Sequence, residues 1–496
     1  MYKIRQISYA SNSVPIQVYK IENRKRVIVK HIGTATTNIE RDNLLALAQQ
    51  FITSLTRQVR LFEADSSISI LYLNQTEFIG AHYTFLYETL LVIFKQIDLS
   101  RVLNPLLLDL AIMRIVEPAS KLRSITLLED YFGIKHRRQS YYDIAGSWHS
   151  FKNVLESKAV AFAKIAHGFD YDLLFYDVTT LYLEAFTEDE LRKNGFSKDN
   201  KPQQPQILVA LLVAKEGFPI GHEVFSGNTF EGHTIVPVVK KLIAKHKVKS
   251  FTIVADAAVI STENITNLKA DGIHYIVGAR MGNLPLSLID KIDKAITRED
   301  GQSIRMPTEQ GDLICSFSKV RYRKDHHEMQ KQIEKAKYLI ENPGKRKKPK
   351  LTKANGEVIG LNQKLIDKTK KILGIKGYYT DLKEKNVSNN VIIERYHELY
   401  KIEQAFRVSK HGLKTRPIFH YREDPIQLHV LICFMALIIS KQIELKTELS
   451  IKEFIYQCKK VTDARMLDKI NSKELTIRTK IHPEIQKIIA KLKLLT

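Results

Sequence analysis

The run Leu173-Leu174-Phe175-Tyr176-Asp177-Val178-Thr179-Thr180-Leu181-Tyr182 constrains the fold more than any other stretch of the chain. Its aromatic and β-branched residues predict a buried strand. Asp177 stands in the middle of it.

The residues that follow set the topology. After a polar loop at 195–202, a second strand is predicted at 207–213 and a third at 220–225. The turn Glu216-Gly217-Phe218-Pro219 joins these two. A helix is predicted at 234–246 and a fourth strand at 251–255, with Asp256 at its C-terminal end. A helix capped by Ser261 runs through Lys269, and a fifth strand covers 273–277. Hairpin-linked strands followed by a βαβ unit give a mixed sheet. The expected class is therefore α/β, a ribonuclease-H-like mixed sheet with helices. In that order the middle of strand one and the end of strand four are neighbours, which would set Asp177 beside Asp256.

A third carboxylate comes from far downstream. Residues 396–410 are predicted as one helix, on which Tyr396, Leu399, Glu403, Phe406 and Lys410 share a face. The plain alternative is an amphipathic helix with a Glu403–Arg407 pair. Asp177, Asp256 and Glu403 together offer oxygen ligands only, which suit Mg²⁺ or Mn²⁺ rather than zinc. Two such ions roughly 3.5–4 Å apart suit phosphodiester displacement.

The rest of the chain is expected as a partly β insertion at 281–376, a β-rich N-terminal module at 1–60 and a helical region at 61–168. The sheet domain would then cover 169–280 and 377–440, and a helical C-terminal region 441–496. In the N-terminal module a hairpin at 16–33 precedes a helix capped by Asn38 and running over 41–59.

The net charge of +23 suits a polyanion, nucleic acid above all. Lys345, Arg346, Lys347 and Lys348 form a basic loop expected to contact DNA backbone. Arg137 and Arg138 sit beside aromatic residues and fit either DNA contact or a solvated turn. Cys315, Cys433 and Cys458 are too far apart for a zinc motif, which fits a reducing, cytoplasmic setting. No signal peptide is expected at the N-terminus. The apolar run 428–440 is too short to span a bilayer and is expected as a buried helix in which His429 is a satisfied core residue. Neither a membrane nor a nucleotide cofactor is expected.

These pieces resemble the DDE transposases of bacterial insertion sequences, in the branch with a β-rich insertion between the second Asp and the Glu. The resemblance rests on 175–182, on Gly217-Phe218-Pro219-Ile220-Gly221 with Gly227-Asn228-Thr229, on 254–257, and on 396–410 with Arg416-Pro417-Ile418-Phe419-His420. It implies a catalytic triad of Asp177, Asp256 and Glu403 that holds divalent ions, two per site. It also implies DNA contacts from Tyr396, Lys410 and Arg407, binding of inverted-repeat ends, strand cleavage, joining of the 3′-hydroxyls to target DNA, and a homodimer in the synaptic complex. The family box is Y-x2-R-x3-E-x6-K, and Leu399 stands where the family commonly has Arg. The alternatives are a metal-dependent nuclease of the same fold without strand transfer, and a catalytically inactive DNA-binding protein.

Overall fold

In the computed structural model, Leu173–Tyr182 (β1) is the strand about which one eight-stranded sheet is built. The structure describes residues 2–7, 13–22, 25–56, 75–248, 250–258, 261–342, 351–355, 358–469 and 472–492. The other strands of this sheet are Gln206–Ala214 (β2), Pro219–Ser226 (β3), Thr252–Ala255 (β4), His274–Ala279 (β5), Ser303–Thr308 (β6), Gly311–Phe317 (β7) and Ile375–Thr380 (β8). Their order across the sheet is β6-β7-β8-β5-β4-β1-β2-β3. The first five strands take the order expected from the sequence, β3-β2-β1-β4-β5. β1 pairs parallel with β4, and β4 with β5; the remaining pairings are antiparallel. The strands β6 and β7 from the expected insertion extend this same sheet, joining it through β8.

The chain divides into two compact units. The larger comprises 89–128, 135–454 and 489–496, and contains the sheet. Its helices include Pro105–Val116 (α1), Trp148–His167 (α2), Ile235–His246 (α3), Thr262–Ala270 (α4), Asn389–His397 (α5), Tyr400–Arg407 (α6) and Glu423–Thr447 (α7). α7 packs against α1, α2 and β3. It is apolar around its circumference and buried along nearly its whole length, as expected of a helix surrounded by protein. The expectation of a short apolar run is corrected here: the helix has 25 residues, long and apolar enough by length and composition to cross a membrane, yet that stretch is wholly buried. The apolar pattern alone understated it, because Glu423 and Asp424 before the run and Lys441, Glu444 and Lys446 after it interrupt the apolar pattern while the helix continues. His429 is buried in it, with Nε2 2.9 Å from the Thr415 carbonyl oxygen.

The smaller unit comprises 1–88, 129–134 and 455–488. It holds a three-stranded sheet of Tyr2–Gln6, Val14–Glu22 and Lys25–Ala35, covered by the helix Asn38–Thr56. The cap of that helix differs from expectation. Thr37, not Asn38, accepts from the Glu40 amide at 3.2 Å, while the Glu40 carboxylate accepts from the Thr36 and Thr37 amides. This reciprocal pairing satisfies more of the free amides than an Asn38 cap would. The C-terminal region expected as helical also contains two strands, Asp463–Asp468 and Lys473–Arg478. Both belong to a sheet with Thr76–His82, which lies in the region 61–168 also expected as helical. Thr76–His82, whose partner strand Asp463–Asp468 lies hundreds of residues away, leaves little local signal.

A buried ion network fastens α2 and α3 to β3. Lys152 pairs with Glu156 at 2.8 Å and with Glu223 at 2.9 Å; Lys245 pairs with Glu156 at 2.9 Å and Lys241 with Glu223 at 2.7 Å. The amide of His222 donates to Glu156. Burial pushes the Glu156 carboxyl up, but Lys152, His222 and Lys245 outweigh it and hold it down at about 2. Burial pushes His222 down to about 4, so the ring is neutral in the folded chain.

Glu156 is 7% exposed, so Glu156→Gln leaves buried cations short of a partner and is expected to cost about 3 kcal/mol or more by chemical denaturation at neutral pH. The depressed Glu156 pKa contributes stability above about 4.5 that is lost as pH falls toward about 2. The glutamine variant should therefore lose less stability than the wild type across that window.

Candidate active site

Asp177 is the fifth residue of β1, and Asp256 follows the last residue of β4. Tyr176 is paired with Ala255 across the two parallel strands, so the next positions along both strands are the two aspartates. Neighbouring strands lie about 4.8 Å apart, which brings the two carboxylates out side by side. Each accepts from the amide that follows it: Asp177 from Val178 at 2.7 Å and Asp256 from Ala257 at 2.6 Å. On the other face of β1, the Tyr176 hydroxyl donates to Thr234 at 2.6 Å, which fixes the strand's rotation.

Burial pushes the Asp177 carboxyl up to about 6; Lys198 opposes this, while Asp256 and Glu231 add to it. Lys198 comes from the polar loop after β1. Its ammonium donates to the Val178 carbonyl at 2.7 Å and pairs with Glu231 at 2.8 Å. Glu231 opens a single 3₁₀ turn, Glu231–His233, before α3. A fourth carboxylate and a lysine thus join the neighbourhood of Asp177. The sequence reading assigned neither, because the fold-back of the loop 195–202 has no periodic signature.

Residues 396–410 do not form the single helix expected. α5 ends at His397, α6 begins at Tyr400, and a π-turn occupies Val408–Gly412. Between the helices the amides of Leu399, Lys401 and Ile402 bond three residues back, to Tyr396, Glu398 and Leu399. Such tightened turns rotate one helix against the next. As a result Tyr396 and Leu399 are buried, while Glu403 on the following helix is exposed. Leu399 packs as an interior residue, so the position where the family commonly has Arg carries no charge here. The expected alternative, a Glu403–Arg407 ion pair, is not among the ion pairs of the described residues. Glu403 has no hydrogen-bonding or ionic partner there, and is not engaged in holding the fold.

Tyr396 donates from its hydroxyl to Asp256 at 3.2 Å. Gly278 on β5 makes this possible: a Cβ there would come within 2.5 Å of the Tyr396 hydroxyl. Lys376 on β8 lies over the Tyr396 ring at 4.6 Å. Burial and then Arg321 pull the Lys376 pKa down, while Asp256 and Glu403 pull it back up, so this cation feels both carboxylates. The sequence reading missed Lys376, whose place depends on β8 docking against β5.

Asp256 lines two clefts. One, of about 470 Å³, is also lined by Thr180, Lys198, Asn228, Glu231 and Arg280. The other, of about 400 Å³, is lined by Arg321, Glu328, Lys376 and Tyr396 among others. Among the described residues no three acidic, histidine or cysteine side chains stand together as a metal cluster. The donor set still fits a hard divalent ion. Two carboxylates lie side by side, one has its pKa raised by burial and its neighbour, and a third acid is left free.

The expected DNA-contacting residues fall in different settings. Lys410 is partly buried, 3.6 Å from Asp199, which also lies 3.3 Å from Arg416. Arg407, Arg137 and Arg138 are exposed. His136, beside the last two, lies 2.6 Å from Asp109. Lys345, Arg346, Lys347 and Lys348 lie outside the described residues.

Gly278→Ala is expected to cost about 1–3 kcal/mol of stability by chemical denaturation, from forced contact with Tyr396. In a Tyr396→Phe background the nearest clashing atom is gone, so the same substitution should cost clearly less. Equal costs in both backgrounds would show that the glycine is not there to admit the hydroxyl.

A family model described as Transposase DDE domain matches residues 168–439. No curated protein matches the sequence. Among solved structures, the cryo-EM structure of a piggyBac transposase synaptic complex with hairpin DNA is similar over 83% of this chain and 75% of that one, at 10% identity and a TM-score of 0.38. The family model covers more than half of the chain, from before β1 to within α7, and includes Asp177, Asp256 and Glu403. On that match the chain belongs to the DDE transposase family.

Proposed function

We propose that this transposase binds the inverted-repeat ends of its element, cleaves the DNA there by phosphodiester hydrolysis, and joins the freed 3′-hydroxyls to target DNA. The observation that carries the reading is the register of β1 and β4, with Asp177 and Asp256 at adjacent positions. The five-strand order around them supports a ribonuclease-H-like assignment.

In this reading Asp177, Asp256 and Glu403 hold Mg²⁺ or Mn²⁺, two ions per site. Bound ions would neutralise the carboxylates and stabilise charge on the attacking and leaving oxygens. The remaining roles belong to side chains of this chain. Tyr396 orients the Asp256 carboxylate by donating to it. Lys198 holds the carbonyl of Val178, next to Asp177, and limits the repulsion around that carboxylate. Lys376 offers a cation beside Asp256 and Glu403, suited to a DNA phosphate entering the cleft. Arg407, Lys410, Arg137 and Arg138 extend the cationic surface along the DNA, and the cations of the segment with Lys345, Arg346, Lys347 and Lys348 belong to the same reading by their charge alone. A homodimer holding two ends together belongs to the same reading.

The test is metal-dependent cleavage of labelled end DNA, with binding measured in parallel. Asp256→Asn keeps the side chain's shape and removes the charge that holds a hard cation. It is expected to bind DNA as the wild type does and to cut about a thousand-fold more slowly or worse. Tyr396→Phe removes one hydrogen bond to a charged group and should slow cleavage roughly 10-fold. A folded Asp256→Asn chain that cuts at near wild-type rate would remove this residue from the site. Cleavage without joining of the 3′-ends would identify a nuclease instead.

A further inference from the structure

A third pocket, of about 180 Å³, lies in the same unit and is lined by Arg114, Lys121, Lys414, Arg416, His420 and His429, with no carboxylate in its wall. Arg114 is the last-turn arginine of α1 and is only 4% exposed. Its guanidinium makes one long bond, from Nη1 to the Lys414 carbonyl at 3.5 Å. Neither Arg114, Lys121 nor Lys414 has an acidic partner among the described residues. Arg416 alone does, in Asp199. A cation as buried as Arg114 is ordinarily paired, so an unpaired one facing a cavity calls for an anion from outside.

Two further features make the pocket more positive. Lys121 is the first residue of the helix Lys121–Phe132, and Ala119 and Ser120, which immediately precede that helix, also line the wall. A helix N-terminus carries partial positive charge and ordinarily disfavours a lysine. The histidines add no negative charge. His429 Nε2 meets the Thr415 carbonyl, which leaves Nδ1 as the acceptor facing the Lys121 ammonium at 3.3 Å. Burial, and after it Arg114, pushes Lys121 down to about 7.

We propose that this pocket binds a phosphate group of the DNA backbone, an inference that rests on the reading that the chain acts on DNA. The volume admits a phosphate but not a whole nucleotide. Its position suits a strand that also reaches the carboxylates. Ile418 pairs with the extension of β1, donating to Tyr182 at 3.1 Å and accepting from Glu184 at 2.9 Å. The six residue steps from Asp177 to Leu183 span about 20 Å along an extended strand. The phosphate held here would lie several nucleotides from the one being cleaved.

The test compares the full-length wild type with Lys121→Gln and Lys121→Met. Thermal unfolding is followed in chloride and in inorganic phosphate at matched ionic strength. Binding of a labelled duplex is followed across a salt series. Phosphate is expected to raise the wild-type Tm and not that of either variant. In chloride both variants should melt at or above the wild-type temperature, because a buried like-charge repulsion is relieved. Their slope of log K against log salt should be shallower by about 1, with duplex affinity about 10-fold weaker at low salt. A wild type that gains nothing from phosphate, with variants of unchanged slope, would overturn the proposal. A phosphate gain lost in the variants with the slope unchanged would overturn the assignment to DNA, leaving a site for free phosphate. The expected slopes in a chain that cuts no end DNA would support the pocket while sinking the proposed function.

Discussion

The parallel pairing of β1 with β4, with Tyr176 opposite Ala255, is the constraint on which the site depends. A shift of one residue would turn Asp177 to the opposite face and separate it from Asp256, because side chains alternate along a strand. The register is held from both sides. On one face the Tyr176 hydroxyl is bonded to Thr234. Around it, the residues of β1, β2 and β4 are almost all buried, so a slip would move a full set of apolar side chains out of the core. The apolar packing thus holds two carboxylates together, and burial, with a smaller addition from Asp256, raises the Asp177 pKa.

Buried charge is handled in two ways in this unit. In the network of Glu156, Lys152, Glu223, Lys241 and Lys245 each charge meets an opposite one within 3 Å, and the result joins helices to the sheet. Around Arg114 and Lys121 the charges are of one sign and open onto a cavity. The first arrangement is complete within the protein. The second becomes complete only with an anion. Around Asp177 the balance is reversed, with Asp256 and Glu231 adding to the negative charge that Lys198 opposes.

The break between α5 and α6 shows how a small backbone change sorts side chains. A continuous helix would have kept Tyr396, Leu399 and Glu403 on one face. The three-residue bonds over 396–402 bury the tyrosine and the leucine and leave the glutamate exposed. Tyr396 then reaches Asp256 through the space that Gly278 leaves open.

The sequence by itself determined the strands β1 to β5, their order, and the adjacency of Asp177 and Asp256. Those elements are signalled by runs of neighbouring residues, and hairpins and a βαβ unit admit few arrangements. It also singled out Glu403 and the buried helix α7, from helical spacing and an apolar run. Only the tertiary structure decided which cations and acids gather around them. Lys198 and Glu231 meet through the fold-back of a loop, and Lys376 arrives with β8 from a hundred residues after β5. Arg114, Lys121 and His420 come from three separate stretches to one cavity. The strands Thr76–His82 and Asp463–Asp468 likewise find each other across nearly the whole chain. The reason is the same in each case: hydrophobic periodicity is a local property, whereas a charge cluster or a long-range strand pair exists only once the chain has closed on itself.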